Sequence, residues 1–173
     1  SHTDSPALKL KPEPTFRKEN MQLFGVEIYG SPLLTSWLNR DLCLAGKVVI
    51  LNAQETIEEK LVFIDDALLL IPQLAIHLDR EVNEKGLVLD KQEHLCPIVG
   101  LCQEEEETTL AIESLIRRHV HFHTLLSFEL FLVPIEPARL LGTGNELIAS
   151  YRLDNLASTH ACATAMAYLE TPS

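Results

Sequence analysis

The stretch at residues 44–64, LAGKVVILNAQETIEEKLVFI, decides the fold class of this chain. Residues 44–51 are rich in β-branched side chains, and residues 56–64 alternate between apolar and polar side chains. Both patterns are typical of β-strands. The polar residues 52–55 between them suit a short connection. The sequence therefore predicts that these two strands pair as a hairpin.

Further strand patterns surround this hairpin. The segments that share them are residues 7–11, 23–29, 94–99 and 126–133. Gly25 interrupts the second of these segments, and an isolated glycine inside a strand pattern indicates a β-bulge. Together these segments predict a strand-rich sheet across the middle of the chain.

Two segments carry helix signals instead. Residues 107–120 have apolar side chains at helical spacing, acidic residues at the start and basic residues at the end, which complements the helix dipole. Residues 155–169 are rich in Ala and Leu and contain neither Pro nor Gly. We expect an α+β fold: a strand-rich, partly open barrel or sandwich-like domain with a few helices.

The two ends of the chain differ from this strand-rich middle. The start is a short polar segment that leads into a strand, and the end is an Ala-rich helix. This pattern predicts a domain at residues 12–145 that is inserted between two stubs of another domain, residues 1–11 and residues 146–173.

Composition limits the possible functions. Of the 173 residues, 46% are hydrophobic, which is enough for a sizeable core, and the formal net charge of −11 opposes binding to nucleic acid. No apolar stretch reaches the roughly 20 residues of a membrane-spanning helix. The four cysteines form no C-x-x-C pair, which indicates free thiols in a reducing cytoplasm.

His2 and Asp4 form an H-x-D pattern near the start of the chain. A neutral imidazole is a common zinc ligand, and an Asp two residues later can hold the second ring nitrogen in the correct tautomer. Such pairs also occur often by chance, so an ordinary exposed terminus is the alternative.

Asp154 allows two interpretations from the sequence, and His77 has one simple interpretation. Asp154 precedes a predicted helix, where Asp is a preferred N-cap, and the alternative is a carboxylate that bridges two zinc ions. His77 lies in an apolar stretch, where a core histidine bonded to the backbone is the simpler interpretation.

Two other polar clusters have simple explanations. His119, His121 and His123 form an H-x-H-x-H run that could bind a metal if extended, but it also suits the end of a helix. The run 104–107 of four glutamates suggests a cation or a basic partner, but it also suits a solvated loop before a helix.

Four local sequences, taken in order, resemble the aspartyl aminopeptidases. They are SHTDSP at residues 1–6 with LKLK at 8–11, WLNRDLCLAGKV at 37–48, IPQLAIHL at 71–78, and RLDNLAS at 152–158. In that family the last three correspond to W-x-D-R-D-L-x-L-A-G-R-V, I-P-H-L-A-I-H-L and R-L-D-N-L. The four blocks extend over nearly the whole chain.

The resemblance implies a zinc-dependent exopeptidase with two metal ions, whose α/β catalytic domain is interrupted by a β-rich dimerisation domain. It implies that members remove N-terminal Asp or Glu from peptides in the cytoplasm and assemble from dimers into a dodecamer. It assigns His2 as a zinc ligand, Asp4 as its orienting partner and Asp154 as the bridging ligand. It also implies that His77 reaches the active site of a neighbouring protomer and contacts substrate there.

The chain departs from the family pattern at three places, one of which is Ser31-Pro32, where the family has glycines. Gln73 stands where the family has a histidine, and Asn39 stands where an aspartate is usual. The glutamate that acts as general base and three further metal ligands come downstream of Ser173 in the family. We expect that this chain alone neither holds zinc tightly nor hydrolyses peptides. A stand-alone oligomerisation or binding module without catalytic function is the alternative.

Overall fold

The computed structural model describes residues 1–102 and 110–169, and it divides the chain into two compact units. The sheet unit is Ala7–Ile135, and the terminal unit combines Ser1–Pro6 with the chain from Glu136 onwards. The glutamate run at 104–107 lies outside the described residues. The predicted division into an inserted domain and two stubs stays a prediction.

Six strands form one antiparallel sheet in the sheet unit. They are β1 (Ala7–Lys18), β2 (Met21–Tyr29), β3 (Leu42–Leu51), β4 (Ile57–Leu69), β5 (Ile98–Leu101) and β6 (Thr124–Pro134), in the order β4-β3-β6-β1-β2-β5. The two edges approach each other at Leu70 and Ile98, whose backbone groups exchange hydrogen bonds of 3.3 and 2.8 Å. The sheet is therefore open with one bridge between its edges, and it is not a closed barrel.

The predicted hairpin is confirmed. β3 and β4 pair antiparallel from Leu44 opposite Ile64 to Leu51 opposite Ile57. The predicted bulge is also confirmed, because the β1–β2 register shifts between Leu10 and Thr15, across from Gly25. The strand-rich α+β class expected from the sequence is the class observed.

Other predicted boundaries differ from the structure. β1 continues well beyond the predicted residue 11, and β5 begins at Ile98 rather than at residue 94. The late start of β5 has a local cause. The Asp90 carboxylate accepts backbone hydrogen bonds from Gln92 and Glu93, both 2.8 Å, and these bonds hold the chain in a turn.

Helices are few, as expected. The sheet unit contains a 3-10 helix at Leu34–Trp37, the short α1 (Val82–Lys85) and α2 (Leu110–Arg117). The buried side chains of α2 are Ile112, Leu115 and Ile116, and they share the core with the buried apolar side chains of the sheet and its connections. None of the helices in the described ranges is long and apolar enough to cross a membrane.

The terminal unit has a different character. It contains the hairpin β7 (Arg139–Leu141) and β8 (Leu147–Ala149), and the helix α3 (Leu153–Ala167). All buried hydrophobic residues of the described chain belong to the sheet unit, and α3 has no buried residue. The hydrophobic core of the described chain is therefore the core of the sheet unit.

Candidate metal centre

His2 is held in one tautomer by Asp4. Its Nδ1 lies 2.9 Å from the backbone carbonyl oxygen of Asp4 and 3.3 Å from the carboxylate Oδ1. A carbonyl oxygen only accepts hydrogen bonds, so Nδ1 carries a proton, and in the neutral imidazole the lone pair is then on Nε2. Asp4 therefore contacts the His2 ring through both its backbone carbonyl and its carboxylate.

The Nε2 atom of His2 faces Asp154, at 3.5 Å from Oδ1. The structure thus brings together three of the four predicted site residues, His2, Asp4 and Asp154. His2 and Asp154 are about 150 positions apart in the sequence. All three belong to the terminal unit.

The alternative interpretation, that Asp154 is the N-cap of a helix, is wrong. The residue before the helix is Arg152, with a left-handed φ of 71°, and no side chain caps the helix. Asp154 itself has non-helical dihedrals, φ −89° and ψ 107°, and the Asp154–Asn155 peptide bond is cis. The carboxylate therefore projects from an irregular turn before the regular part of α3.

The pair fits a zinc ion in spacing and chemistry. Two ligands at about 2.0–2.1 Å from a tetrahedral zinc ion lie about 3.4 Å apart. The 3.5 Å between His2 Nε2 and Asp154 Oδ1 agrees with that edge. The described ranges supply no third metal-binding side chain at this position. They contain no group of three or more His, Cys, Asp or Glu side chains arranged to hold a metal.

Hydrogen bonds fix the first residues of the chain against the start of α3. Thr159 Oγ1 donates to the carbonyl of His2 at 3.0 Å, and the Arg152 guanidinium donates to the carbonyl of Thr3. Tyr151 donates its hydroxyl to the carbonyl of Pro6 at 2.8 Å, and Ser5 donates to the carbonyl of Asp154 at 3.4 Å. These positioning residues were missed from the sequence, because hydroxyl and guanidinium groups that bond to carbonyls leave no spacing pattern.

His77, the fourth predicted residue, lies in the sheet unit. It is exposed, in an irregular segment where the amides of Leu78 and Asp79 bond to the carbonyl of Ala75. The alternative of a buried core histidine is therefore wrong. The apolar neighbours Leu74 and Leu78 are also exposed, at 64% and 74%.

Two of the departures from the family pattern, Asn39 and Gln73, contact each other. Asn39 Oδ1 accepts the backbone N–H of Gln73 at 3.0 Å, and its Nδ2 lies 3.5 Å from Gln73 Oε1. The backbone N–H of Asn39 also donates a hydrogen bond to the backbone carbonyl of Ile71 at 2.9 Å. Asn39 and Gln73 thus anchor the start of the segment that carries His77.

The profile of one family, described as aminopeptidase I zinc metalloprotease (M18), matches residues 1–173. The chain belongs to the M18 family. A probable M18 family aminopeptidase 2 of Streptomyces avermitilis is 43% identical over 166 residues, which make up 96% of this chain and 38% of that protein. The chain therefore spans well under half the length of this curated relative.

Solved M18 structures have the same fold. An M18 aminopeptidase from Thermotoga maritima is 25% identical with a TM-score of 0.76, and the match covers 99% of this chain and 39% of that chain. The mApe1 dodecamer from S. cerevisiae is 22% identical with a TM-score of 0.73, over 96% of this chain and 37% of that chain.

The histidine run of this M18 chain does not form a metal centre in the described residues. α2 ends at Arg117, before the run begins. His119 Nε2 lies 3.6 Å from Asp66 Oδ1, and the amide of His123 donates to the carbonyl of Leu51 at 2.8 Å. The Arg117 guanidinium stacks over the Phe122 ring, 4.1 Å from its centroid. The two histidine contacts attach the connection between α2 and β6 to β4 and β3.

Proposed function

We propose that this chain is part of a zinc-dependent M18 aminopeptidase that removes N-terminal Asp or Glu from peptides. The observation that carries the proposal is the facing pair of His2 Nε2 and Asp154 Oδ1, at a separation that suits ligands of one zinc ion. The zinc metalloprotease description of the family supports the same metal.

Each residue has a distinct task in this proposal. His2 offers the Nε2 lone pair, because Asp4 keeps the proton on Nδ1. Asp154 offers two carboxylate oxygens, so it can serve two ions at once. The zinc ions would supply Lewis acidity towards the peptide carbonyl and towards a water molecule. Thr159 and Arg152 keep His2 in place through the carbonyls of residues 2 and 3.

The preference for acidic N-terminal residues rests on local sequence. The four blocks that resemble aspartyl aminopeptidases include the segment with His77, and we propose that this histidine contacts substrate in a neighbouring protomer. The exposed position of His77 supports this assignment. The sheet unit then acts as a dimerisation domain, and the dodecamer of the related yeast protein supports self-association.

A reducing compartment such as the cytoplasm suits this protein. All four cysteines are free thiols. Cys43 is buried, and burial raises the pKa of its thiol, which lowers its reactivity. Cys43 therefore acts as a small apolar side chain in the core.

The second candidate function is an oligomerisation module without catalysis. The observation that favours it is the small donor set, since two direct ligands are fewer than the four that zinc commonly takes. The two functions differ in whether the longer protein hydrolyses peptides.

The experiment compares hydrolysis of aspartyl and leucyl nitroanilides by the full-length protein with added zinc. We expect turnover of the aspartyl substrate at a rate well above that of the leucyl substrate. The Asp154→Asn variant, which keeps the shape of the side chain, should lose about 100-fold or more in activity.

A Glu13→Gln variant, which neutralises an exposed carboxylate on β1 of the sheet unit, is the matched control, and it should keep the parent activity. Hydrolysis of the leucyl substrate alone would refute the acidic preference. Absence of hydrolysis of any aminoacyl nitroanilide by the full-length protein would favour the module.

A further inference from the structure

The side chain of Thr159 bonds to both of the segments that carry the candidate zinc ligands. Its Oγ1 lies 3.0 Å from the backbone carbonyl oxygen of His2 and 3.1 Å from that of Asn155, the residue after Asp154. One hydroxyl on α3 thus lies between the residue that supplies the imidazole and the turn that supplies the carboxylate. It links the two ligand segments directly.

The two contacts of the Thr159 hydroxyl have different origins. A hydroxyl has one proton to donate, and carbonyl oxygens only accept, so both contacts use the same hydrogen. A threonine inside a helix commonly bonds to the carbonyl four residues earlier, which here belongs to Asn155. The contact with His2 crosses 157 positions of sequence, and helix geometry does not account for it.

Thr159 and Asp4 hold His2 at two separate points. Thr159 bonds to the backbone carbonyl of His2, whereas Asp4 bonds to the imidazole Nδ1. Arg152 bonds one residue further along, to the carbonyl of Thr3. The bond from Thr159 is therefore the one that reaches the peptide group of the ligand residue itself, and with the ring bond it fixes both ends of the His2 side chain.

We infer that Thr159 is a positioning residue of the proposed zinc site, through which α3 sets the separation between His2 and Asp154. The inference rests on the proposed zinc-dependent function and deepens it. Carbonyl oxygens engage the hydroxyl, so Thr159 acts on the metal through His2 and not as a ligand. A ligand that is already in place loses less conformational freedom when the metal binds, and groups that orient ligands change metal affinity by about 10- to 100-fold.

Removal of the hydroxyl tests this function. Thr159→Val replaces the hydroxyl by a methyl group and keeps the β-branched shape. We expect it to raise the Kd for zinc of the full-length protein by about tenfold or more, measured by competition with a chromogenic chelator. Thr159→Ala, which favours the helix, is the second variant. It should show the same loss even if the valine variant does not fold.

Two further variants separate the hydroxyl from the helix that carries it. Thr159→Ser keeps the donor, so its Kd for zinc should stay within about threefold of the parent value. Thr164→Val makes the same chemical change further along α3 and should keep the parent affinity.

The kinetics of the full-length protein give a readout that a purely structural function would not change selectively. At limiting zinc, Thr159→Val should be less active than the parent. At saturating zinc, we expect kcat to return to within about threefold of the parent, with KM for the aspartyl nitroanilide within about twofold, because the lost quantity is metal affinity.

Each other result contradicts the inference. Parent-like zinc affinity in both Thr159→Val and Thr159→Ala would overturn it and leave the zinc site itself intact. An equal loss in Thr159→Ser or in Thr164→Val would assign the effect to the helix instead of the hydroxyl. A loss of kcat that saturating zinc does not restore would exclude an action through metal affinity. A full-length parent protein that binds no zinc would refute the proposed function, and this inference with it.

Discussion

Asn39 holds two distant parts of the sheet unit together. Its backbone lies in the left-handed region, at φ 54°, and its side chain accepts the amide of Gln73. Asparagine adopts this conformation more readily than most residues, because its short side chain can bond locally. Conformation and hydrogen bonding therefore favour the same residue at this position.

Replacement of Asn39 by glycine separates these two effects, because glycine accepts the positive φ and removes only the side chain. We expect Asn39→Gly to lower the free energy of unfolding by about 0.5–1.5 kcal/mol, the usual contribution of such a hydrogen bond. Urea denaturation measures this change. Glu55→Gly, at φ 59° in an exposed turn, is the control and should stay within about 0.5 kcal/mol of the parent. Equal stability of the two variants would mean that the contact with Gln73 contributes nothing.

At the residue scale, sequence patterns alone predict that His2 belongs to an exposed terminus and that Asp154 is a helix N-cap. An H-x-D pair and an Asp before a helix are both frequent, and only the fold brings the two residues within 3.5 Å. The resemblance to a known family supplied what spacing could not. The Asn39–Gln73 contact was not predicted, because no periodicity relates positions that are 34 residues apart.

Among the elements, β3 depends on a single glycine. Gly46 has φ 153°, and a Cβ at this position would overlap the backbone carbonyl oxygen of Glu129 on β6. The two strands pair at this point, with Gly46 opposite Leu130. No flexible side chain can move aside to make room, because the obstacle is the backbone of the neighbouring central strand.

We expect Gly46→Ala to destabilise the protein by about 2–4 kcal/mol, since it requires either a shift of the β3–β6 ladder or a strained backbone. The measurement is the midpoint of urea unfolding, with the slope of the transition as a check on the two-state assumption. Gly100→Ala on β5 is the control, because a Cβ there has no heavy atom within 4 Å. A Gly46→Ala protein as stable as the control would show that the ladder adjusts without cost.

Element prediction succeeded where side chains alternate and a short polar turn separates two strands, as in the β3–β4 hairpin. It was less accurate for β1, whose second half pairs beyond a bulge, and for β5, which starts only after the Asp90 turn. The short strands β7 and β8 were not predicted. Three residues are too few to establish a period of two.

At the scale of the whole molecule, the number of side chains that can bind zinc determines how tightly the metal is held. Within the described residues, His2 and Asp154 are the two candidate ligands that face each other, and their side chains are 48% and 92% exposed to competing water. We expect the 173-residue chain to lose zinc on dialysis, to less than about 0.1 ion per chain. Elemental analysis measures this content, with the His2→Ala variant as the control for adventitious binding. One ion per chain retained by the parent and lost by His2→Ala would overturn the expectation.

The pairing of β1 with β6 has a consequence for how the whole protein is assembled. Leu8 lies opposite Leu132 and Lys9 opposite Phe131, so the first and last strands of the sheet unit are neighbours. Adjacent strands are separated by about 4.8 Å, which is the span of a tight turn. To the chain on either side, the sheet unit therefore behaves as a short loop. A folded unit whose two ends are neighbours adds little loop-closure entropy to the chain on either side, because its own strands hold those ends together.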